Sequence, residues 1–147
     1  MKKKTGSTPD SAELRDEDYR LLAEFRKTIR EFLHFSEQAA VLAGITPAQH
    51  QAMLVIRGAL GDDSVIIRDL AERLHIKHQS AVGLFSRMEK AGLINKLHDP
   101  SDKRRVYLRL TEHGKRLLGG LSAAHKSELK RIGPTLDVIL KRLGKRS

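Results

Sequence analysis

Residues 68–114 read RDLAERLHIKHQSAVGLFSRMEKAGLINKLHDPSDKRRVYLRLTEHG, and the fold turns on how this stretch divides. Leu70, Ala71 and Leu74 set an apolar stripe on two helical turns over 68–74. His75-Ile76-Lys77 is a tight connection. Ala81, Leu84, Phe85 and Met88 then recur at steps of three and four, predicting a helix over 78–91 that Gly92 stops. Residues 93–98 alternate apolar and polar, 99–103 carry turn chemistry, and 106–110 alternate again, so a β-hairpin with a charged tip follows. Two short helices joined by a tight turn and followed by a hairpin make a winged helix-turn-helix.

The other face of the 78–91 helix shows Gln79, Ser80, Gly83, Ser86, Arg87 and Lys90, with Glu89 off the stripe. An ordinary solvated face would mix signs. A face meant for the DNA major groove needs donors, acceptors and little bulk, which is what stands here.

Working outward, Tyr19, Leu22, Phe25, Ile29, Phe32, Leu33, Ser36 and Ala40 predict a helix from 16 to about 42, ending before Gly44. It holds three of the four phenylalanines and is apolar on more than one face, as suits a helix that packs on something beyond its own domain. Thr46-Pro47-Ala48-Gln49 is a capping-box helix start, and that helix ends near Gly58. Residues 61–64 read as a loop and 65–67 as one brief strand. Thr111 caps a long helix to about Ile132, in which Leu118, Leu121, His125 and Leu129 keep helical spacing and Gly119-Gly120 weakens propensity. Gly133-Pro134 is expected to break it, leaving a short last helix with Leu136, Ile139, Leu140 and Leu143. Residues 1–15 lack periodicity and read as a mobile tail. The fold class expected is therefore mainly α with a small β-hairpin, in one domain over 16–147.

Charge supports a polyanionic partner. Lys and Arg number 28 against 18 Asp and Glu, giving +10 and a pI near 10.2. A solvated cationic surface would explain that total; its distribution says more. Residues 1–98 hold fifteen basic against thirteen acidic side chains, while 75–109 hold eight against three, besides His75, His78 and His98. Positive charge gathers on the second helix and the hairpin, which favours nucleic acid over a membrane. The absence of cysteine excludes disulfides, thiol switches and thiolate metal sites. No apolar run approaches the roughly 18 residues of a membrane span, and the N-terminus has no apolar signal core, so cytoplasm is the expected location and no membrane partner is expected.

Four stretches taken in order resemble the MarR (multiple antibiotic resistance regulator) family: Ile45-Thr46-Pro47-Ala48-Gln49; Leu70-Ala71-Glu72-Arg73-Leu74; residues 87–94; and Asp99-Pro100-Ser101-Asp102-Lys103-Arg104-Arg105 leading to Leu110-Thr111-Glu112-His113-Gly114. The resemblance covers about 16–143. It implies an obligate homodimer, with helices in 16–44 and 112–147 forming the dimerisation base and 46–111 forming the winged body, and a pseudo-palindromic operator in double-stranded DNA. It aligns 78–91 as the recognition helix, so Lys77, His78, Gln79, Ser80, Val82, Gly83, Ser86, Arg87 and Lys90 become candidate DNA contacts. Gln79 suits adenine, Val82 a thymine methyl or a half-buried site, and Arg87 backbone register. In the hairpin, Asp102 and Arg104 match the family's acidic-x-arginine motif. Asp102 either orients Arg104 toward the minor groove or merely stiffens the turn, while Lys103 and Arg105 suit phosphates. The chain departs from the family at Lys77-His78-Gln79, where Ser or Thr is frequent, and at Gly83, where a longer side chain is frequent.

The resemblance further implies a small anionic or phenolic effector between base and winged body, with His34, Phe35, His50 and His113 at matching places. The function expected is a ligand-responsive repressor. Two other readings stay open: a nonspecific architectural nucleic-acid-binding protein, and a zinc-responsive regulator suggested by the seven histidines. The sequence has no H-E-x-x-H motif, phosphate loop or nucleophile elbow, so no metal site, cofactor or enzymatic activity is expected.

Overall fold

A computed structural model describes residues 14–59 and 64–145. The order is α1 (Asp16–Leu42), α2 (Pro47–Gly58), β1 (Ser64–Ile66), α3 (Ile67–Leu74), α4 (His78–Lys90), β2 (Ile94–His98), β3 (Val106–Leu110) and α5 (Glu112–Gly144). The expected tail lies almost wholly outside the described residues, as do 61–63 of the expected loop.

Local signals place the helix ends. The Thr46 hydroxyl accepts from Gln49 N–H at 3.1 Å while Gln49 Oε1 accepts from Thr46 N–H at 3.1 Å, closing the capping box with Pro47 in the first turn. Gly44 and Gly92 follow α1 and α4 at φ +81° and +72°, a region in which glycine has no Cβ penalty. His75 takes the left-handed conformation, φ 54°, which turns α3 sharply into α4.

The hairpin β2–β3 is part of a three-stranded antiparallel sheet in the order β1-β3-β2, with Val65 opposite Leu108 and Ile94 opposite Leu110. Sequence periodicity predicts the brief strand and the hairpin separately; their pairing is a tertiary event. One continuous core joins Met53 and Ile56 of α2, Leu70 of α3, Phe85 and Met88 of α4, and Leu93, Ile94 and Leu108 of the sheet region, each at most 1% exposed. At about 25 cal/mol per Å² these buried side chains supply most of the winged body's stability.

The expected break at Gly133-Pro134 does not occur. α5 runs unbroken for 33 residues with Pro134 inside it. Pro134 forfeits one backbone N–H, and Gly133 has no Cβ to meet the proline ring. Ile132 and Ile139, on either side, are buried where α5 packs along α1, and that packing offsets the lost bond.

α5 is also tied to the end of α4. Thr111 Oγ1 donates to Gly92 O at 2.6 Å and accepts from Gly114 N–H at 3.0 Å, and Thr111 N–H donates to Leu93 O at 3.0 Å. A Cβ at Gly114 would overlap the Leu93 carbonyl oxygen, so this close approach requires glycine.

Candidate nucleic-acid interface

α4 buries Ala81, Leu84, Phe85 and Met88 and turns its other side to solvent. Lys77, His78, Gln79, Ser80, Arg87 and Lys90 are exposed, Val82 is 41% exposed, and Gly83 and Ser86 are half-buried at the flank. Val82 thus presents its methyls to solvent while part of it stays covered. No side chain caps the helix, so the first-turn N–H groups beside Lys77 remain open and add the positive end of the helix dipole. Gly83 has a specific consequence: a Cβ there would sit 3.4 Å from Arg87 Nη1, so the arginine lies back over the glycine. A longer side chain at 83 would push that guanidinium away.

The hairpin tip is built by two carboxylates. Asp99 Oδ1 accepts from Ser101 N–H at 2.9 Å and from Ser101 Oγ–H at 2.7 Å, and these bonds hold its carboxyl below the usual carboxylate range. Asp102 Oδ1 accepts from the backbone N–H of Arg104 at 3.0 Å. Arg105 N–H donates to Asp102 O at 3.0 Å, and Asp99 N–H to Arg105 O at 3.1 Å. Asp102 therefore acts on the Arg104 backbone; among the described residues no ion pair joins its carboxylate to the guanidinium. Lys103, Arg104 and Arg105 point their charge into solvent from a tied turn.

A second feature lies between α1 and α5. A cleft of about 660 Å³ is lined by Phe35, Leu42, Arg116, Leu117, Gly120 and Leu121 among others. It is mostly apolar, with one guanidinium and the Gln38 amide as its polar groups. Of the four effector candidates only Phe35 lines it. His34 and His113 are exposed elsewhere. His50 is 5% exposed and stacks on His125 with ring centroids 4.8 Å apart. The sequence reading missed Asp99, Ser101, Arg116 and His125 as site residues. His125 is visible in the sequence as a histidine on the α5 stripe, but only the fold shows what it faces. Among the described residues no three His, Asp or Glu side chains gather where they could hold a metal ion, and no single helix is long and apolar enough to cross a membrane.

Known proteins share this arrangement. The model of the MarR family matches residues 43–105. Over 75 residues the chain is 39% identical to the HTH-type transcriptional regulator FarR of Neisseria gonorrhoeae, covering 51% of this chain and 49% of that protein. Over 94 residues it is 31% identical to the HTH-type transcriptional repressor MdtR of Bacillus subtilis (strain 168), covering 64% and 56%. The chain thus spans about half the length of the curated relatives it matches. Its fold is similar to that of a mutant of S. aureus MepR bound to an oligodeoxyribonucleotide, with a TM-score of 0.67 at 21% identity over 85% of this chain and 97% of that one. Residues 43–105 thus match the MarR family, and the architecture as a whole is similar in fold to solved structures such as MepR.

Proposed function

We propose that this chain acts as a homodimeric, sequence-specific repressor that binds a pseudo-palindromic site in duplex DNA and lets go when a small anionic or phenolic molecule occupies the α1–α5 cleft. The observation that carries the DNA half is the exposed face of α4 bearing Gln79, Ser80, Arg87 and Lys90, with Glu89 at its flank, followed within one hairpin by a tied tip presenting Lys103, Arg104 and Arg105. Base reading falls to Gln79 and Ser80, with Val82 toward a thymine methyl. Register falls to Lys77, His78, Arg87 and Lys90, with Ser86 and Gly83 permitting close approach. Arg104 enters a narrow minor groove in this reading. The MepR relative solved on an oligodeoxyribonucleotide supports a DNA partner for this fold.

The dimer half is supported by α1 and α5, which leave Tyr19, Leu22, Leu33, Leu129, Val138 and Leu140 each more than 40% exposed. An isolated monomer would expose that apolar surface to water. The cleft supports an effector with a flat apolar body and one acidic group facing Arg116. Release requires only differential affinity, about 1.4 kcal/mol of coupling per tenfold loss of DNA binding.

Selection of bound duplexes from a random pool tests the reading directly. A palindrome with half-sites about 34–36 Å apart is expected. A uniform footprint on random DNA would instead establish an architectural protein, and a monomer in sedimentation at micromolar concentration would overturn the dimer.

A further inference from the structure

Behind the wall of the α1–α5 cleft, three helices meet around two imidazoles. His50 of α2 and His125 of α5 stack at 4.8 Å with planes tilted by 46°. Phe32 and Phe35 of α1 stand edge-on to His125 at 5.9 and 5.4 Å. His125 Nδ1 lies 2.6 Å from Leu121 O and Nε2 lies 2.8 Å from Ser36 Oγ. A carbonyl only accepts, so Nδ1 carries a proton; in the neutral ring Nε2 then accepts from the Ser36 hydroxyl. His50 sits on the helix that gives Met53 and Ile56 to the winged core, whereas His125 belongs to the base helix. The stack is therefore a seam between the two regions, and Phe35 and Leu121 belong both to it and to the cleft.

We propose that the His50–His125 stack is an acid-sensitive latch: neutral, it holds α2 against α1 and α5; protonated, it opens the seam and weakens the hold on DNA. This inference rests on the DNA-binding reading above. Among the described residues no ion pair reaches either ring. α2 has no other titratable group before Arg57. On α5, Glu128 is engaged by Arg131 at 2.6 Å, and Lys126 faces solvent. On α1 the group facing His125 is the Ser36 hydroxyl, while Glu31, His34 and Glu37 are exposed. Protonating His125 makes Nε2 a donor and forces Ser36 to reverse its hydrogen bond. Burial first, and the neighbouring His125 second, hold His50 below the ordinary imidazole value of 6.5. A histidine depressed in this way leaves the seam at full strength above pH 6.5 and weakens it as pH falls below that value.

The sign separates this latch from the histidines near the DNA face. His75, His78 and His98 are exposed, and their protonation would add charge toward phosphates and tighten binding. The test measures affinity for the selected duplex at pH 7.5 and 5.5 at fixed ionic strength. Wild-type affinity is expected to fall at least tenfold, while the His50→Gln/His125→Gln double variant stays level or binds tighter. Equal or tighter wild-type binding at pH 5.5, or an equal fall in the double variant, overturns the latch. If circular dichroism shows the double variant unfolded, an NMR titration of the wild-type imidazoles decides. Two coupled titrations, with His50 below 6.5, support the latch, and two independent ordinary ones overturn it. Failure to bind any duplex at pH 7.5 refutes the DNA-binding reading instead, and the titration still decides whether the two rings are coupled.

Discussion

The winged body and the α1–α5 base are made from the same kinds of residue but bury them differently. In the winged body, Phe85, Met53, Leu70 and Leu108 are wholly enclosed by α2, α3, α4 and the sheet. Along the base, outside the stretch where α5 passes the winged core, the buried hydrophobics are Leu21, Ile132 and Ile139, and the apolar side chains between them reach solvent. A core closed on itself specifies one packing. A long helix pair with open apolar flanks is stable in a given arrangement only as far as something covers it. The comparison gives folding to the first region and, in the proposed dimer, assembly to the second, and it can be attacked from both sides.

The largest effect is expected in the closed core. Phe85→Ala should cost about 3–5 kcal/mol in denaturant unfolding, since a fully enclosed ring leaves a cavity. A loss below about 1 kcal/mol would mean the body is not the self-sufficient unit described. Next comes the base: Leu22→Glu with Leu140→Glu should leave the winged body's unfolding midpoint nearly unchanged while weakening self-association by about 2–4 kcal/mol in sedimentation. Unfolding of the whole chain in step with dissociation would show that the regions are not separable.

Smaller effects sharpen the DNA face of the body. Arg104→Ala should weaken operator binding by about 1–3 kcal/mol and lower the salt slope by about one unit. Gln79→Ala should lose a similar amount at one base position only and relax preference there, so the two variants separate wing from helix. The smallest concerns two glycines of α5. Nothing lies within 4 Å of a Cβ at Gly119, so Gly119→Ala should stabilise the helix by about 0.5–1 kcal/mol. Gly114→Ala, one region earlier in the same helix, must instead displace the Leu93 carbonyl, and a thermal melt of both variants should move in opposite directions.

What could be read in the sequence was what local chemistry decides. Thr46 and Gln49 cap each other within four residues, Gly92 stops α4 by its own conformational freedom, and the α4 stripe repeats every three or four positions. Pro134 misled because the loss of one N–H is local, whereas the packing of Ile132 and Ile139 that outweighs it depends on α1, more than a hundred residues earlier. The same distance hides the sites. Asp102 was legible as part of a motif, yet its partner is the Arg104 backbone, and Asp99 entered only as a turn residue. Phe35 and His50 stand out in the sequence alone, but Arg116 and His125 become relevant only once α5 lies against α1 and α2.

The junction at Gly114 has a mechanical consequence. Two hydrogen bonds from Thr111, to Gly92 O and Leu93 O, fix the start of α5 to the end of α4, and from there α5 continues for 33 residues, about 50 Å at 1.5 Å per residue. A rod pinned at one end in this way is a lever. A tilt of about 5° over that length moves one end by about 4 Å relative to the other. In the proposed dimer, a displacement of that size is a sizeable fraction of a groove width, enough to take two recognition helices out of step with successive turns of DNA.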